Sequence, residues 1–280
     1  MSRLRSLLSV IDLPDRTSKR ILKAHTLLLF VFLYVPIGVV MLLSFTPDQV
    51  PTFPMPGFSF QWYAELLPPD YNEDLISALF TSLRLALFSA TGAGIVGTLA
   101  AFGMVRHDFQ IRWLSTDKLN TVFLLPLVVP WIVTGIAIST LYSLLDVYGS
   151  FGSLVIGHVL ITIPFVVTIV SSQLYGFDQS LEEAAQNLGA SELRTFYEVT
   201  LPLVAPGIVA GMLFAFTISF DNFTQTFFWT SFGTETLPIV IYSMIRTGID
   251  PSVNAIGTII VFFSLAVALI GEKLSQRVLG

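Results

Sequence analysis

Six apolar segments, each near or above the length of a membrane-spanning helix, constrain this chain more than any motif in it. They cover approximately residues 26–45, 77–104, 119–144, 153–175, 204–226 and 253–272. About 20 apolar residues in helical form cross roughly 30 Å of hydrocarbon. A soluble fold would need more charge: only 12% of the 280 residues are charged, against about 25% in ordinary soluble domains. With 54% hydrophobic residues, 24 phenylalanines and a mean hydropathy of +0.77, lipid is the expected solvent for much of the surface. The expected fold is all-α, a polytopic membrane protein of six transmembrane helices. The first run, Thr26–Phe45, follows Arg3, Arg5, Arg16, Lys19, Arg20 and Lys23, as in a signal peptide. It is longer than a secretory apolar core, and "SFTPDQVPTF" after it offers no A-x-A-like cleavage site. We read it as a retained first span.

Six crossings return both termini to one side, and the positive-inside rule assigns that side to the cytoplasm. Beyond the N-terminal cations, Arg106, Arg112, Lys118, Arg194, Lys273 and Arg277 fall inside. Of the 14 Lys and Arg, this leaves Arg84 and Arg246 outside or near the outer face. Asp48, Glu65, Asp70, Glu73, Asp74, Asp146, Glu235 and Asp250 fall on outer segments. The expected organisation is a basic cytoplasmic segment, 1–25, and a six-span domain, 26–280, with a cytoplasmic loop at about 176–203. In the first outer loop, "FSFQWYAELL" reads as a short amphipathic helix with Trp62 and Tyr63 at the membrane interface. Pro126, Pro130, Pro164 and Pro206 argue for kinked or broken helices. Such breaks are tolerated only where protein or a water-filled cavity satisfies the freed backbone groups. The small residues of "SATGAGIVGTLAA", Ser89–Ala101, permit close helix approach, so a packed bundle is expected.

The chain has no cysteine, which removes disulfides, thiolate metal sites and cysteine nucleophiles. His25, His107 and His158 are scattered without metal-ligand spacing, and no nucleophile–His–acid pattern stands out. Large basic patches of the nucleic-acid-binding kind are absent, as is a G-x-x-x-x-G-K-[ST] phosphate loop. We therefore expect neither an enzyme nor a nucleic-acid binder, and no metal or cofactor held by this chain.

The polar stretch "EEAAQNLGASELRTFYEVTLP", Glu182–Pro202, interrupts the apolar pattern. Ser180 with Glu183 three residues on reads as a capping box, opening a helix from Leu181 to Leu188. Gly189 suits the turn after it. A second short helix after Ser191 would place Leu193, Phe196 and Tyr197 on one face. Helices this short must pack against something. Residue types alone leave two readings open, a well-capped surface loop and an acidic seat for a soluble partner with basic residues. The stretch resembles the EAA loop of ABC-importer permease subunits: E-A-A, three residues, G, nine residues, I, one residue, L-P. The matches are Glu183, Ala184, Ala185, Gly189, Leu201 and Pro202, with Val199 in place of Ile. Resemblance to the six-span permease fold extends over essentially the whole chain. It implies that the loop, Arg194 included, forms coupling helices that dock in a cleft of an ATP-binding subunit. It further implies two copies of that subunit, using ATP and Mg²⁺, a second homologous permease subunit and an outer solute-binding protein. The implied location is the cytoplasmic or inner membrane of a bacterium or archaeon. Glu183 has two compatible roles, capping its helix and pairing with the ATPase.

The region after the fifth span is similar to spermidine/putrescine-type permeases, where an S-F-D-[DEN] element precedes an L-P, Y-S, G-x-x-P-x-x-N-A run. Here these are Ser219–Asn222, Leu237–Pro238, Tyr242–Ser243, Gly248, Pro251 and Asn254–Ala255. That similarity implies polyamines or a related cationic solute. An intramembrane carboxylate is costly and therefore points to function. Asp221, with Asn222 beside it, suits an ammonium group, and Phe220, Phe223, Phe227, Phe228 and Trp229 offer cation–π faces. Asp146 and Tyr148, at the outer end of the third span, are further pathway candidates. Competing readings stay open: Asp221 as a boundary residue, the aromatics as an interfacial belt or packing, Arg84 as a snorkelling cation or a partner of Asp221. Ferric iron, thiamine, an amino-acid derivative or an organic anion are alternative cargoes, and an ion-coupled secondary transporter is the alternative class.

Overall fold

The computed structural model describes residues 15–50, 52–67, 73–106, 116–247, 251–262 and 264–265. Arg3, Arg5, Asp70, His107, Arg112, Gly248, Asp250, Lys273 and Arg277 lie outside the described residues. Regular structure among the described residues is helical throughout. In chain order the helices are α1 (Asp15–Leu43), α2 (Gln61–Glu65), α3 (Glu73–Arg106), α4 (Thr116–Val128), α5 (Trp131–Leu144) and α6 (Phe151–Tyr175). They continue with α7 (Ser180–Asn187), α8 (Glu192–Thr195), a π turn (Phe196–Thr200), α9 (Leu201–Asp221), α10 (Thr226–Trp229), α11 (Leu237–Thr247) and α12 (Pro251–Phe262). The chain forms two compact units, Met1–Asn72 with Met244–Gly280, and Glu73–Ser243.

In the second unit, α3, α6 and α9 pack on one another. The buried face of α3 is made of small residues at helical spacing: Ser82, Ala86, Ala90, Ala93, Gly97 and Ala101. Lipid is as apolar as a side chain, so helix association here depends on close van der Waals fit. Val166 of α6 shows that fit. It is fully buried, and a Cβ built on Gly97 of α3 would lie 2.8 Å from its Cβ. From the other side, a Cβ on Gly211 of α9 would lie 3.3 Å from its Cα. The three backbones meet because two glycines leave room for one valine.

Four helices, Thr17–Leu43, Glu73–Arg106, Phe151–Tyr175 and Glu192–Asp221, are long and apolar enough to cross a membrane. The third expected span, 119–144, is not one straight helix. Thr121–Val128 and Trp131–Leu144 meet at 106°. Pro130 causes the break: it has no N–H to continue the helix and holds the residue before it away from α geometry. Its own φ of −54° and ψ of 132° are extended. Pro36, Pro126, Pro164 and Pro206, by contrast, lie inside helices. The fifth expected span, 204–226, ends at Asp221 but begins earlier, because α8, the π turn and α9 form one 30-residue helix, Glu192–Asp221. The sixth, 253–272, is described only as far as α12 and residues 264–265.

In the first unit, α1 already includes Lys19, Arg20 and Lys23, so these basic residues stand on the helix that carries the first apolar run. The short helix read from "FSFQWYAELL" is α2. Trp62 is buried there instead of facing an interface, and its indole N–H donates to Thr46 O at 2.6 Å. Burying the ring requires a partner for that N–H, and the loop folds back to supply one.

Candidate functional site

The loop after α6 is organised by three local devices. Asp178 Oδ1 accepts the Ser180 N–H at 3.0 Å. This backbone bond, then a side-chain bond from Ser180, holds the Asp178 carboxyl below its usual range. Asp178 thus replaces the expected Ser180–Glu183 capping box: Ser180 is the first helical residue, and its hydroxyl is not the cap. At the other end of α7, Gly189 N–H donates to Gln186 O at 2.9 Å and Ala190 N–H to Ala185 O at 3.1 Å. This is a Schellman closure, which needs a left-handed residue, and Gly189 has φ +92°. Ser191 then caps α8, its Oγ accepting the Arg194 N–H at 3.3 Å. Pro202, near the start of α9, has no N–H for the carbonyl four residues back, and the helix widens into the π turn just before it.

Glu182 is the convergence point of this region. Thr200 Oγ1 donates to Glu182 Oε1 at 2.6 Å, and Arg106 Nη2 lies 3.3 Å from Glu182 Oε2. The Arg106 guanidinium also stands over the Phe177 ring, 5.4 Å from its centroid. A cleft of about 390 Å³ opens beside them, with Phe102, Gln186, Glu192, Thr195 and Phe196 also in its wall. Phe196 is anchored edge-on against Phe102, with centroids 5.1 Å apart. In the same segment Leu181, Leu188, Leu193 and Tyr197 are exposed, Leu188 at 90%. Glu183 is exposed and makes no side-chain hydrogen bond or ion pair with described residues.

At the far end of α9, buried polar side chains form a chain. Asn222 Oδ1 accepts the Gln225 and Thr226 N–H groups, each at 3.2 Å, which fixes the start of α10. Asn222 Nδ2 donates to Gln225 Oε1 at 2.8 Å, and Gln225 Nε2 donates to Thr134 Oγ1 on α5 at 2.7 Å. Thr226 Oγ1 donates to Asn222 O at 2.7 Å. Its oxygen must therefore accept from His158 Nε2, 3.0 Å away. His158 Nδ1 is left to accept the Ser219 hydroxyl at 2.8 Å, so the network assigns the Nε2–H tautomer. Trp229 covers this histidine edge-on and donates its indole N–H to Gly135 O at 2.8 Å. The first turns of α5, just after the break at Pro130, are thereby tied to α10.

Residues 93–280 match the protein family described as "Binding-protein-dependent transport system inner membrane component". The chain belongs to that family. It is 33% identical to the spermidine/putrescine transport system permease protein PotC of Haemophilus influenzae, over 91% of this chain and 96% of that one. It is 37% identical to the putrescine transport system permease protein PotI of Escherichia coli K12, over 84% of this chain and 83% of that one. In fold it is similar to the crystal structure of a bacterial ABC transporter involved in import of the acidic polysaccharide alginate. The TM-score there is 0.67 at 15% identity, covering 94% of this chain and 98% of the other. The chain is a permease subunit of an ABC importer in the inner membrane, and not an enzyme.

Within this permease, Glu183, Ala184, Gly189, Arg194 and Pro202 are exposed on the 176–203 segment, while Ala185 and Leu201 are half-buried. Arg194 pairs with Glu198 at 3.0 Å in solvent. Among the pathway candidates, Asp221, Phe227, Asp146 and Tyr148 are exposed, and Phe220 and Phe223 half-buried. The Phe223 ring lies 5.5 Å from Phe227 and 4.9 Å from Tyr242. Tyr148 Oη donates to Thr230 O at 3.3 Å, and Asp146 has φ +57°. Asn222 and Trp229 are buried, so they hold the structure around Asp221 and present no open face. Arg84 is exposed and is not paired with Asp221. Sequence reasoning missed the permease's Arg106–Glu182–Thr200 cluster and the His158 network. In the sequence Arg106 is one of several inside cations and Glu182 one of several acids in the polar stretch, with nothing to pair them.

Proposed function

We propose that this permease carries polyamines or a related cationic solute, and that the 176–203 loop couples it to its ATPase. Both termini would lie in the cytoplasm. Similarity to permeases named for spermidine and putrescine supports the cargo class. The observation that carries the reading to a residue is Asp221. It is the last residue of α9 and exposed, where the helix dipole disfavours a negative charge by about 0.3–1 kcal/mol, and no described cation offsets it. A carboxylate there, two residues before Phe223, whose ring packs 5.5 Å from that of Phe227, suits an incoming ammonium group. The exposed Glu183 with Leu181, Leu188 and Leu193 supports docking of a soluble partner. ATP and Mg²⁺ would be used by two ATP-binding subunits, and a second permease subunit and an outer binding protein would complete the machine.

The test is uptake of labelled spermidine and putrescine by the complete importer in proteoliposomes. Asp221→Asn should lower uptake about tenfold, the value of one lost charge-assisted contact of roughly 1.4 kcal/mol. Failure of both solutes to stimulate the wild-type complex, with an anion doing so instead, would sink the cationic reading.

A further inference from the structure

Arg106, Glu182 and Thr200 come from three separate elements and meet on one carboxylate. Arg106 is the last residue of α3, Glu182 lies in the first turn of α7, and Thr200 closes the π turn leading into α9. The side chains of Arg106 and Glu182 are 15% and 18% exposed, against 66% and 60% for Arg194 and Glu198. The exposed pair contributes little. A shielded pair is different, because removing one partner strands the other charge away from water. The two adjacent glutamates therefore differ in surroundings: Glu183 is exposed to a partner, and Glu182 is held against Arg106 and Thr200.

Two details suit this contact to motion. Arg106 Nε and Nη2 make no hydrogen bond with described residues. The guanidinium thus holds Glu182 by charge across 3.3 Å, without the fixed geometry of a bidentate fork, and such a contact tolerates a change of angle. The cleft of about 390 Å³ beside the three residues leaves room for α7 to shift. We propose that Glu182 is a positioning residue that passes displacement of α7 to α3 through Arg106 and to α9 through Thr200. This rests on reading 176–203 as the ATPase-docking loop and adds a division of labour: docking by the Glu183 face, transmission by the Glu182 face.

The experiment uses the complete importer in proteoliposomes, with spermidine as the probe solute, and reads solute moved per ATP hydrolysed. The amount of ATPase subunit that co-purifies is measured in parallel. Glu182→Gln and Arg106→Gln should each lower the transport-to-hydrolysis ratio about tenfold, within the usual span of coupling between sites. Both should retain the ATPase subunit, and the exchanged pair Arg106→Glu with Glu182→Arg should recover part of the ratio. Wild-type ratios in both single variants would overturn the proposal, as would losses that track failure of the ATPase to bind. If the charge variants do not insert, Thr200→Val against Thr200→Ser decides on the same ratio. The valine should lower it and the serine preserve it; equal values overturn the proposal. Glu183→Arg separates the two layers: it should release the ATPase subunit, and its retention would count against the docking reading itself.

Discussion

His158 donates through Nε2 to Thr226 and accepts through Nδ1 from Ser219, so one imidazole ties α6 to both α9 and the start of α10. Replacing it by alanine removes a ring packed under Trp229 and leaves the Ser219 hydroxyl without its partner. Thr226 keeps its bond to Asn222 O. The combined loss should be about 2–4 kcal/mol, a cavity term plus one unpaired buried hydroxyl. It is read as a lower thermal midpoint of the detergent-purified protein. Thr226→Val should cost about 1–3 kcal/mol by the same measurement, since it strands the Nε2–H. None of this was legible in the sequence, because the partners of His158 lie 61 and 68 residues away. A lone histidine in an apolar run shows neither its tautomer nor its neighbours. Asp221 stands out in the sequence as a carboxylate at the end of a span-length run, and the structure leaves it exposed as the last residue of α9.

Helix contacts in this permease are set by small residues, and two glycines in the second half of α3, Gly94 and Gly97, separate rigid from yielding contacts. A Cβ on Gly97 would meet the branched Cβ of Val166 at 2.8 Å, and the Ile163 carbonyl at 3.5 Å, with nothing flexible to give way. A Cβ on Gly94 would meet the Met212 side chain at 2.6 Å, an unbranched chain that can swing aside. Gly97→Ala should therefore lower stability by about 1–3 kcal/mol through overpacking, with Gly94→Ala costing clearly less in the same thermal measurement. The run "SATGAGIVGTLAA" announced the close approach but not which glycine is indispensable, since that depends on the residue opposite. Prolines behaved similarly. Pro130 sits at a helix break and Pro164 inside a helix, although the two residues carry the same local signal. The caps show the limit of local motifs: Ser191 acts as read, whereas Ser180 yields its task to Asp178.

At the scale of the molecule, large apolar side chains remain exposed along the span-length helices, among them Leu87, Phe88, Ile95 and Leu99 on α3. Lipid and other subunits are the surfaces that suit them. Reconstituted by itself, the chain should move no solute; uptake should appear only with the ATPase subunit, the binding protein and ATP, measured by labelled-spermidine accumulation. Solute movement without ATP would favour an ion-coupled carrier instead. The helical class was readable from composition and the long apolar runs, of which four are single helices long and apolar enough to cross a membrane. The 106° break and the merging of α8 into α9 were not, because both depend on how backbone groups are satisfied in three dimensions. That merging has a mechanical consequence. Thirty helical residues, Glu192–Asp221, make a strut about 45 Å long, with one end in the proposed docking loop and Asp221 at the other. Tilting such a strut by about 10° around its middle displaces each end by roughly 4 Å, so a push delivered at the loop would reach the acidic tip directly, as in a rocker arm.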